Sequence, residues 1–195
     1  MKVNESEVLQ VLEDKGAVLR GHFKLSSGRH SDLFIQKFRV LEHPGLAQRF
    51  GQELAESFPG SFDLVASPAV GAVVLGFATA LAAHSRFIFA ERSGDRMEFR
   101  RGFEIPPHAR VLVVEDVITT GGSALEVVEL VRRAGGDPVG VGALIDRDDP
   151  VRRWQAGVPL HALVTVKAES WEPSECPLCA RAEPLDDPGS RRLSA

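Results

Sequence analysis

Two adjacent acids, Glu115 and Asp116, stand between an aliphatic run and a loop of small residues. The run at 111–114 is typical of a parallel strand that is covered on both faces. The carboxyl ends of such strands face the ligand crevice, where two carboxylates can accept hydrogen bonds from vicinal hydroxyl groups. The loop at 119–123 offers backbone N–H groups and hydroxyls that can enclose an anion at a helix start. These residues predict a site for a ribose and its 5-phosphate.

The helix after this loop is marked by apolar residues at helical spacing from Ala124 to Val131 and by a stop at Gly135 and Gly136. A buried strand that ends in two acids also suits the magnesium-binding strand of a nucleotide hydrolase or the acidic pocket of a receiver domain. The motif G-x-x-x-x-G-K-[ST] occurs nowhere in the chain, and G-x-G-x-x-G is absent from this strand, turn and helix. The ribose-phosphate site is therefore the preferred interpretation.

The composition is typical of a soluble globular protein, because 44% of the 195 residues are hydrophobic and 26% are charged. This length fits one domain with a full core. No apolar run approaches a membrane span, and the polar N-terminus lacks the apolar core of a signal peptide, so we expect a cytoplasmic protein with no membrane partner. The net charge of -4 argues against nucleic acid as the principal partner.

Strands and helices alternate along the chain, which predicts the α/β class with an open, mostly parallel sheet flanked by helices. We expect a single domain at 1–171 and a Pro-rich, charged tail without a clear element at 172–195. The segments behind this prediction are a first helix near Val8, a hairpin at 21–36, a helix from Pro44, strands at 64–66, 86–90 and 138–145, a helix at 73–83 and an edge strand at 161–166.

The only two cysteines, Cys176 and Cys179, form a C-P-L-C motif in the tail. A structural zinc ion normally takes four ligands, so a zinc site here would require His161 or a partner chain. The alternative is an ordered tail with reduced thiols, which we prefer. A redox motif is less favoured, because nothing around the pair reads as a strand-to-helix turn.

The segment 111–136 resembles the phosphoribosyl pyrophosphate signature of the type I phosphoribosyltransferases. This resemblance implies the fold of that family, with a small N-terminal hairpin hood at about 17–40. It implies that Glu115 and Asp116 hold the ribose and favour its developing positive charge, and that they act together with Arg92. The donor-binding residues that it implies are Glu115, Asp116, Val117, Ile118, Thr119, Thr120, Gly121, Gly122, Ser123 and Arg92.

Residues 21–35, GHFKLSSGRHSDLFI, resemble the N-terminal hairpin of orotate phosphoribosyltransferases. The resemblance implies that Phe34 and Ile35 line a pyrimidine site, although both residues would also suit a plain hairpin core. The family often has a lysine where this chain has Ser26, and Lys24 could supply that charge.

The sequence IDRDD at 145–149 resembles the strand end where that family presents an arginine to orotate. Arg147 is the matching residue, and Thr119 is expected beside the same base. A guanidinium offers a rigid fork of donors that suits a carboxylate and a planar ring edge. The alternative is a surface arginine paired with Asp146 or Asp148.

Two further segments match the family by position. The turn formed by Ser67, Ala69, Val70 and Gly71 corresponds to the pyrophosphate loop, although it would also serve as a plain connection and lacks the lysine of many relatives. The polar segment 91–104 corresponds to a loop that closes over the donor, with Arg92 as the best match and a solvated charged loop as the alternative.

The resemblance implies transfer of a phosphoribosyl group from phosphoribosyl pyrophosphate to orotate by a homodimer with shared active sites. It also implies Mg²⁺ held mainly by the substrate, with no direct protein ligand expected. A purine phosphoribosyltransferase is one alternative. A regulator that senses phosphoribosyl pyrophosphate is another, although no appended basic module is visible. The tail sequence CPLCARAEPLDDPGSR also resembles a tail in a subset of orotate enzymes.

Overall fold

Two sheets organise the chain. The structure is a computed structural model, and it describes residues 4–25, 27–60, 62–147, 154 and 156–188. The strands are β1 (Val18–Lys24), β2 (His30–Ile35), β3 (Leu64–Pro68), β4 (Arg86–Ser93), β5 (Arg96–Phe99), β6 (Arg110–Ile118), β7 (Asp137–Asp146), β8 (Leu160–Thr165) and β9 (Ser170–Trp171). The α-helices are α1 (Glu5–Asp14), α2 (Phe38–Leu41), α3 (Pro44–Ser57), α4 (Val73–Ala82), α5 (Gly122–Arg133) and α6 (Pro177–Ala180).

The larger sheet has six strands in the order β5-β4-β3-β6-β7-β8. All neighbouring pairs in it are parallel except β4 and β5, which are antiparallel. The predicted open, mostly parallel sheet flanked by helices is therefore confirmed. The strand that carries the two acids, β6, lies between β3 and β7, so its carboxyl end is near the middle of the sheet edge.

Side chains of β6 alternate between two hydrophobic cores, as the two-residue period of a strand requires. Leu112 and Val114 belong to one core, which also contains Phe50 and Leu54 of α3. Val111 and Val113 belong to the other core, whose buried residues include Val127 and Val128 of α5. The aliphatic run that marks this strand in the sequence is thus buried by helices on both faces of the sheet.

The predicted hairpin forms the smaller sheet, in which β1 and β2 pair antiparallel. A third strand from near the tail, β9, pairs with β2, so the order of this sheet is β1-β2-β9. We call these three strands the hood. Ser26, in the hairpin turn, lies outside the described residues.

Two segments are more regular than the sequence suggested. The polar segment 91–104 contains β5, which folds back on β4 as a hairpin arm around Gly94, a glycine with a φ of 59°. The tail contains a 3₁₀ turn at Pro173–Glu175 and α6, and Asp186 forms a bridge with Phe23 of β1. The arm pairs locally through the two-residue turn at Gly94 and Asp95, whereas the tail bridges to a strand far from it in the sequence.

Helices α3 and α4 approach each other closely at Gly51. A Cβ atom on Gly51 would lie 2.5 Å from the carbonyl carbon of Ala78, whereas a Cβ atom on Gly45, in the same helix, would have nothing within 4 Å. We expect Gly51→Ala to lower the free energy of unfolding by about 1–3 kcal/mol through overpacking. Gly45→Ala should leave it unchanged or raise it by up to about 1 kcal/mol, because alanine is the better helix former. Urea denaturation of both variants checks this, and equal effects would contradict the packing argument.

Candidate active site

The two acids end the central strand and are almost fully buried, with exposures of 7% for Glu115 and 2% for Asp116. The Asp116 amide donates to Glu115 Oε1 at 3.1 Å, and the Val117 amide donates to Asp116 Oδ1 at 2.6 Å. Both carboxyl groups are therefore positioned by the backbone of their own strand. Because they are sequence neighbours, their side chains leave opposite faces of the strand, and Asp116 shares the face of Val114.

The cation beside this pair is Lys37, which the sequence analysis missed. Its Nζ atom lies 2.8 Å from Asp116 Oδ2, and its side chain is 31% exposed. Lys37 directly precedes α2 and stands two residues after Ile35. Its place in F-I-Q-K, close to the predicted base-site pair, is the sequence feature that could have indicated a role in the site. The ion pair joins the segment after the hood to the end of the central strand.

Burial and the nearby Asp116 carboxylate raise the pKa of Glu115 to about 8, and Lys37 opposes this only in part. Glu115 therefore holds a proton at neutral pH. A protonated carboxyl group can donate one hydrogen bond as well as accept others. The pair can thus present both donor and acceptor oxygens to a neighbouring polyol.

Gly71 brings the loop after β3 against the same carboxylate. A Cβ atom at this position would lie 2.0 Å from Asp116 Oδ2 and 2.7 Å from Lys37 Nζ, so no larger residue fits without displacing the ion pair. The Ala69 amide donates to the Ala90 carbonyl at 2.7 Å, and the Ala69–Val70 peptide bond is cis. Val70 is 76% exposed, whereas Ser67 is fully buried. The predicted pyrophosphate loop and the acids thus meet at one point.

The predicted phosphate cradle connects β6 to α5. Thr119, Thr120 and Gly122 are exposed, and Ser123 is half-buried. Gly121 caps α5 with a left-handed φ of 82°, a backbone conformation that glycine adopts most readily. Gly121 offers no side-chain hydrogen bond to the helix, and the Gly122 amide makes only a long hydrogen bond, of 3.5 Å, to Thr120 Oγ1. The start of α5 therefore presents weakly engaged N–H groups that an external acceptor could bind. This arrangement can bind an anion.

Arg147 links the end of β7 to the hood. Its amide donates to the Ile118 carbonyl at 2.9 Å, and its Nη2 donates to Ser31 Oγ at 3.3 Å. Ser31 is fully buried and donates in turn to the Glu169 carbonyl at 2.7 Å. The structure thus places Arg147 between the two sheets. Asp148, one of the residues proposed as an alternative partner, lies outside the described residues.

Phe34 and Ile35 occupy opposite faces of β2. Ile35 packs against the core that contains Leu33, on the face shared with Ser31. Phe34 contacts Phe23 on the other face, with the two ring centroids 5.7 Å apart. Only Ile35 therefore shares the side of the hood that Arg147 contacts. Phe34 packs within the hairpin, which is the alternative role that its sequence context allows.

The arm formed by β4 and β5 contacts the helix of the cradle. Arg92 makes two hydrogen bonds to Glu126 of α5, at 2.9 and 3.1 Å. Arg101 makes two to Glu91, at 2.9 and 2.8 Å. Glu126 is one helical turn beyond the cradle, so Arg92 lies near the predicted donor site. Lys24, considered as a substitute cation, instead lies 4.0 Å from Asp187.

Comparison with known proteins is consistent with this geometry. Residues 39–164 match the phosphoribosyl transferase domain family. A relative from Caldanaerobacter subterraneus subsp. tengcongensis, named orotate phosphoribosyltransferase, is 44% identical over 192 residues, which cover 98% of this chain and 100% of the relative. The chain belongs to the orotate phosphoribosyltransferase family.

Solved structures show the shared fold of the family. The orotate phosphoribosyltransferase from Aeropyrum pernix superimposes with a TM-score of 0.67 at 28% identity, over 81% of this chain and 93% of that one. An adenine phosphoribosyltransferase from Rhodothermus marinus gives a TM-score of 0.63 at 26% identity, over 83% and 99% of the two chains. The predicted family and type I phosphoribosyltransferase fold are confirmed. Among the described residues, no helix has the length and apolar character to cross a membrane.

The raised pKa of Glu115 generates a prediction about stability. Between about pH 4.5, the ordinary pKa of glutamate, and about pH 8, the unfolded chain releases a proton that the folded chain keeps. This contribution makes the folded state less stable as pH rises, by at most about 1.4 kcal/mol per pH unit. Glu115→Gln cannot ionise, so its free energy of unfolding relative to the parent should increase from pH 5 to pH 8.

Denaturant titrations of the parent and the variant across that range provide the measurement. Glu98→Gln, at an exposed glutamate of β5, is the matched control and should show a constant difference from the parent. A constant difference for Glu115→Gln as well would show that Glu115 ionises normally in the folded chain.

Proposed function

We propose that this member of the family transfers the 5-phosphoribosyl group of phosphoribosyl pyrophosphate to orotate, and releases orotidine 5'-phosphate and pyrophosphate. The observation that carries the proposal is the convergence of a buried acid pair, a glycine-capped cradle and an arginine at adjacent strand ends. The names of the relatives support the same activity. The cell would use it in pyrimidine synthesis, in the cytoplasm.

The donor would lie along the carboxyl end of β6. Glu115 and Asp116 would bind the ribose hydroxyl groups, and the negative charge of Asp116 would favour the oxocarbenium-like state that forms as pyrophosphate leaves. Residues 117–123 would surround the 5-phosphate. The loop at Ser67, Ala69, Val70 and Gly71 would bind pyrophosphate, and no protein nucleophile is needed.

Lys37 adds a cation to this proposal. Its ammonium group is close to both the acid pair and Gly71, which places positive charge where the ribose and pyrophosphate sites meet. A cation at this point would offset the charge of the leaving group, as Arg92 would do from the arm. Binding of the donor would then compete with Asp116 for the same ammonium group.

We expect Mg²⁺ to bind mainly to the phosphate groups of the substrate and not to protein side chains. The described residues include no group of three acids or histidines around Glu115 and Asp116, and Asp116 already faces an ammonium group. Mg²⁺ is usually held through few carboxylates together with substrate phosphates. When bound, it would neutralise charge on the pyrophosphate, while the chain's own residues orient the ribose.

Orotate would bind between the hood and the end of β7. Arg147 would pair with its carboxylate through a charge-assisted hydrogen bond, with Thr119 and Ile35 nearby, whereas Phe34 would support the hairpin from its other face. A purine phosphoribosyltransferase is the second candidate, favoured by the fold shared with the adenine enzyme from Rhodothermus marinus. The purine base that such an enzyme uses as its substrate has no carboxylate, so the enzyme would not require Arg147.

Two variants separate the donor site from the base site. Asp116→Asn should raise the Kd for the donor by about tenfold to a hundredfold, since a lost hydrogen bond to a charged group costs about 1.5–3 kcal/mol. Arg147→Ala should raise the KM for orotate by a similar factor and change the KM for the donor little. Calorimetry and steady-state assays with orotate, uracil, adenine and hypoxanthine measure these effects, and thermal melts check folding. Preferred turnover of a purine, or an unchanged orotate KM in Arg147→Ala, would overturn the assignment.

We further propose that the enzyme is a homodimer with shared active sites. Helix α4 carries no charged residue, and an exposed apolar stripe runs along it from the pyrophosphate loop. Four residues form this stripe, Val70, Val74, Phe77 and Leu81, with exposures of 76%, 41%, 58% and 57%. An uncharged stripe of this size suits a second copy of the same surface. The copy would then lie beside the loop that holds pyrophosphate.

Subunit mixing tests whether each arm serves the other subunit. Mixed dimers of Arg92→Ala and Asp116→Asn should regain activity, because one of their two sites would carry both defects and the other site neither. If each arm serves its own site, as the contact of Arg92 with Glu126 of the same chain would allow, every site keeps one defect and no activity returns. Light scattering measures the dimer, and Phe77→Glu should weaken it.

A further inference from the structure

A second cluster of reactive side chains lies on the hood, outside the candidate active site. It consists of His22 from β1, His30 from β2, and Cys176 and Cys179 from the tail. One nitrogen or sulfur atom from each residue belongs to a set in which every pair is within 4.8 Å. His22 and Cys176 are 154 residues apart in the sequence, so only the folded chain brings these four groups together.

The spacing of these atoms fits a tetrahedral metal site. Zinc bonds of about 2.3 Å to sulfur and about 2.0 Å to nitrogen place the ligand atoms of a tetrahedron about 3.3 to 3.8 Å apart. His22 Nε2 lies 3.5 Å from Cys176 Sγ and 3.6 Å from Cys179 Sγ. His30 Nδ1 lies 3.2 Å from Cys179 Sγ and 3.0 Å from His22 Nε2. Small movements would bring all four atoms to zinc bonding distance.

The hydrogen bonding of His22 also suits a metal ligand. Its Nδ1 lies 2.9 Å from the Glu183 carbonyl oxygen, a contact in which the ring must donate. In the neutral ring this leaves Nε2 as the unprotonated nitrogen, and Nε2 points at the two sulfurs. Metal-binding histidines commonly donate their other N–H to a carbonyl or carboxylate in this way.

Burial and composition favour zinc. His22, His30 and Cys176 are 4%, 6% and 3% exposed, and the cluster contains no carboxylate. Two nitrogen and two sulfur ligands in a tetrahedron are typical of zinc, and four protein ligands leave no open position for a substrate. We propose that the enzyme binds a structural zinc ion through His22, His30, Cys176 and Cys179.

His161 is not a member of this site. His161 is exposed on β8, and its ring packs edge-on against Phe58 at the end of α3, with the two centroids 6.2 Å apart. The two remaining ligands come from the hairpin of the same chain, so the site needs neither His161 nor a partner chain. The proposal does not depend on the reaction that the enzyme catalyses.

The metal would link the tail to the hood, because two of its ligands come from each. Asp186 already exchanges two backbone hydrogen bonds with the hairpin, to Lys24 and His22, each at 2.8 Å. Strand β2 carries both His30 and Ser31, and Ser31 is the hydrogen-bond partner of Arg147. A zinc ion bound to His30 would thus stabilise the strand that faces the end of β7.

Metal analysis tests the proposal on the intact chain. We expect one zinc ion per chain, measured by elemental analysis after purification with added Zn²⁺ and gel filtration. Replacement by Co²⁺ should give the thiolate charge-transfer and visible bands of a tetrahedral site. A strong chelator should remove the metal and lower the Tm.

Matched variants assign the ligands. Cys176→Ser with Cys179→Ser should lose the zinc, the cobalt spectrum and the effect of the chelator on the Tm. Cys179→His retains a ligand at the exposed edge of the site and should keep the metal. His161→Gln, the control outside the cluster, should bind zinc like the parent. Circular dichroism confirms that each variant is folded.

Three outcomes would overturn the proposal. The first is a folded parent that binds no zinc after reconstitution with excess Zn²⁺. The second is unchanged zinc in the double cysteine variant. The third is a parent whose two thiols are joined as a disulfide when isolated under reducing conditions with zinc, measured by thiol titration. Each readout is independent of orotate turnover, so failure here would leave the proposed activity untouched.

Discussion

The burial of two acids at the end of the central strand is the constraint on which the rest of the site depends. A carboxylate that is 2% exposed needs a compensating charge, and Lys37 supplies it to Asp116 at 2.8 Å. Lys37 belongs to the segment that follows the hood, so this ion pair fixes the hood relative to the sheet. The same pair leaves no space for a side chain at position 71, which explains the glycine there. One interaction therefore joins three separate parts of the chain.

The two acids differ because their surroundings differ. Glu115 lies on the α5 side of the sheet, and burial raises its pKa to about 8. Asp116 lies on the side of α4 and the hood, next to an ammonium group. Glu115 therefore binds a proton more tightly than an ordinary glutamate, whereas Asp116 is paired with a cation.

The hood depends on the tail as much as on the sheet. Its third strand comes from residues after β8, and Arg29 binds the Ser170 carbonyl at 2.6 Å and forms an ion pair with Glu172. A hairpin of two strands is marginally stable on its own, whereas a third strand and a docked tail give it a stable position. The residues that would bind zinc occupy this junction. The position of the proposed base site thus depends on contacts between the hood and the tail.

The sequence alone determined the elements that short-range patterns encode. The aliphatic run of β6, the small-residue loop and the amphipathic helix α5 are contiguous, so their order and the position of the acids follow from periodicity and turn chemistry. The hairpin and the parallel sheet were also predicted, because alternating strands and helices allow few other arrangements. The roles given to the site residues remain predictions, since they rest on the resemblance to the family.

Tertiary structure decided the contacts between distant segments. Lys37 beside Asp116, the strand β9 paired with β2, and the two histidines beside the two cysteines all join residues whose local sequence carries no mark of the partner. Periodicity reports which face of an element is buried but not what lies against it. The sequence indicates His161 as a possible ligand because it marks only the cysteine pair, whereas packing of β1 and β2 against the tail places His22 and His30 beside that pair. The physical reason is that a metal site or a buried ion pair is specified by the packing of several elements at once.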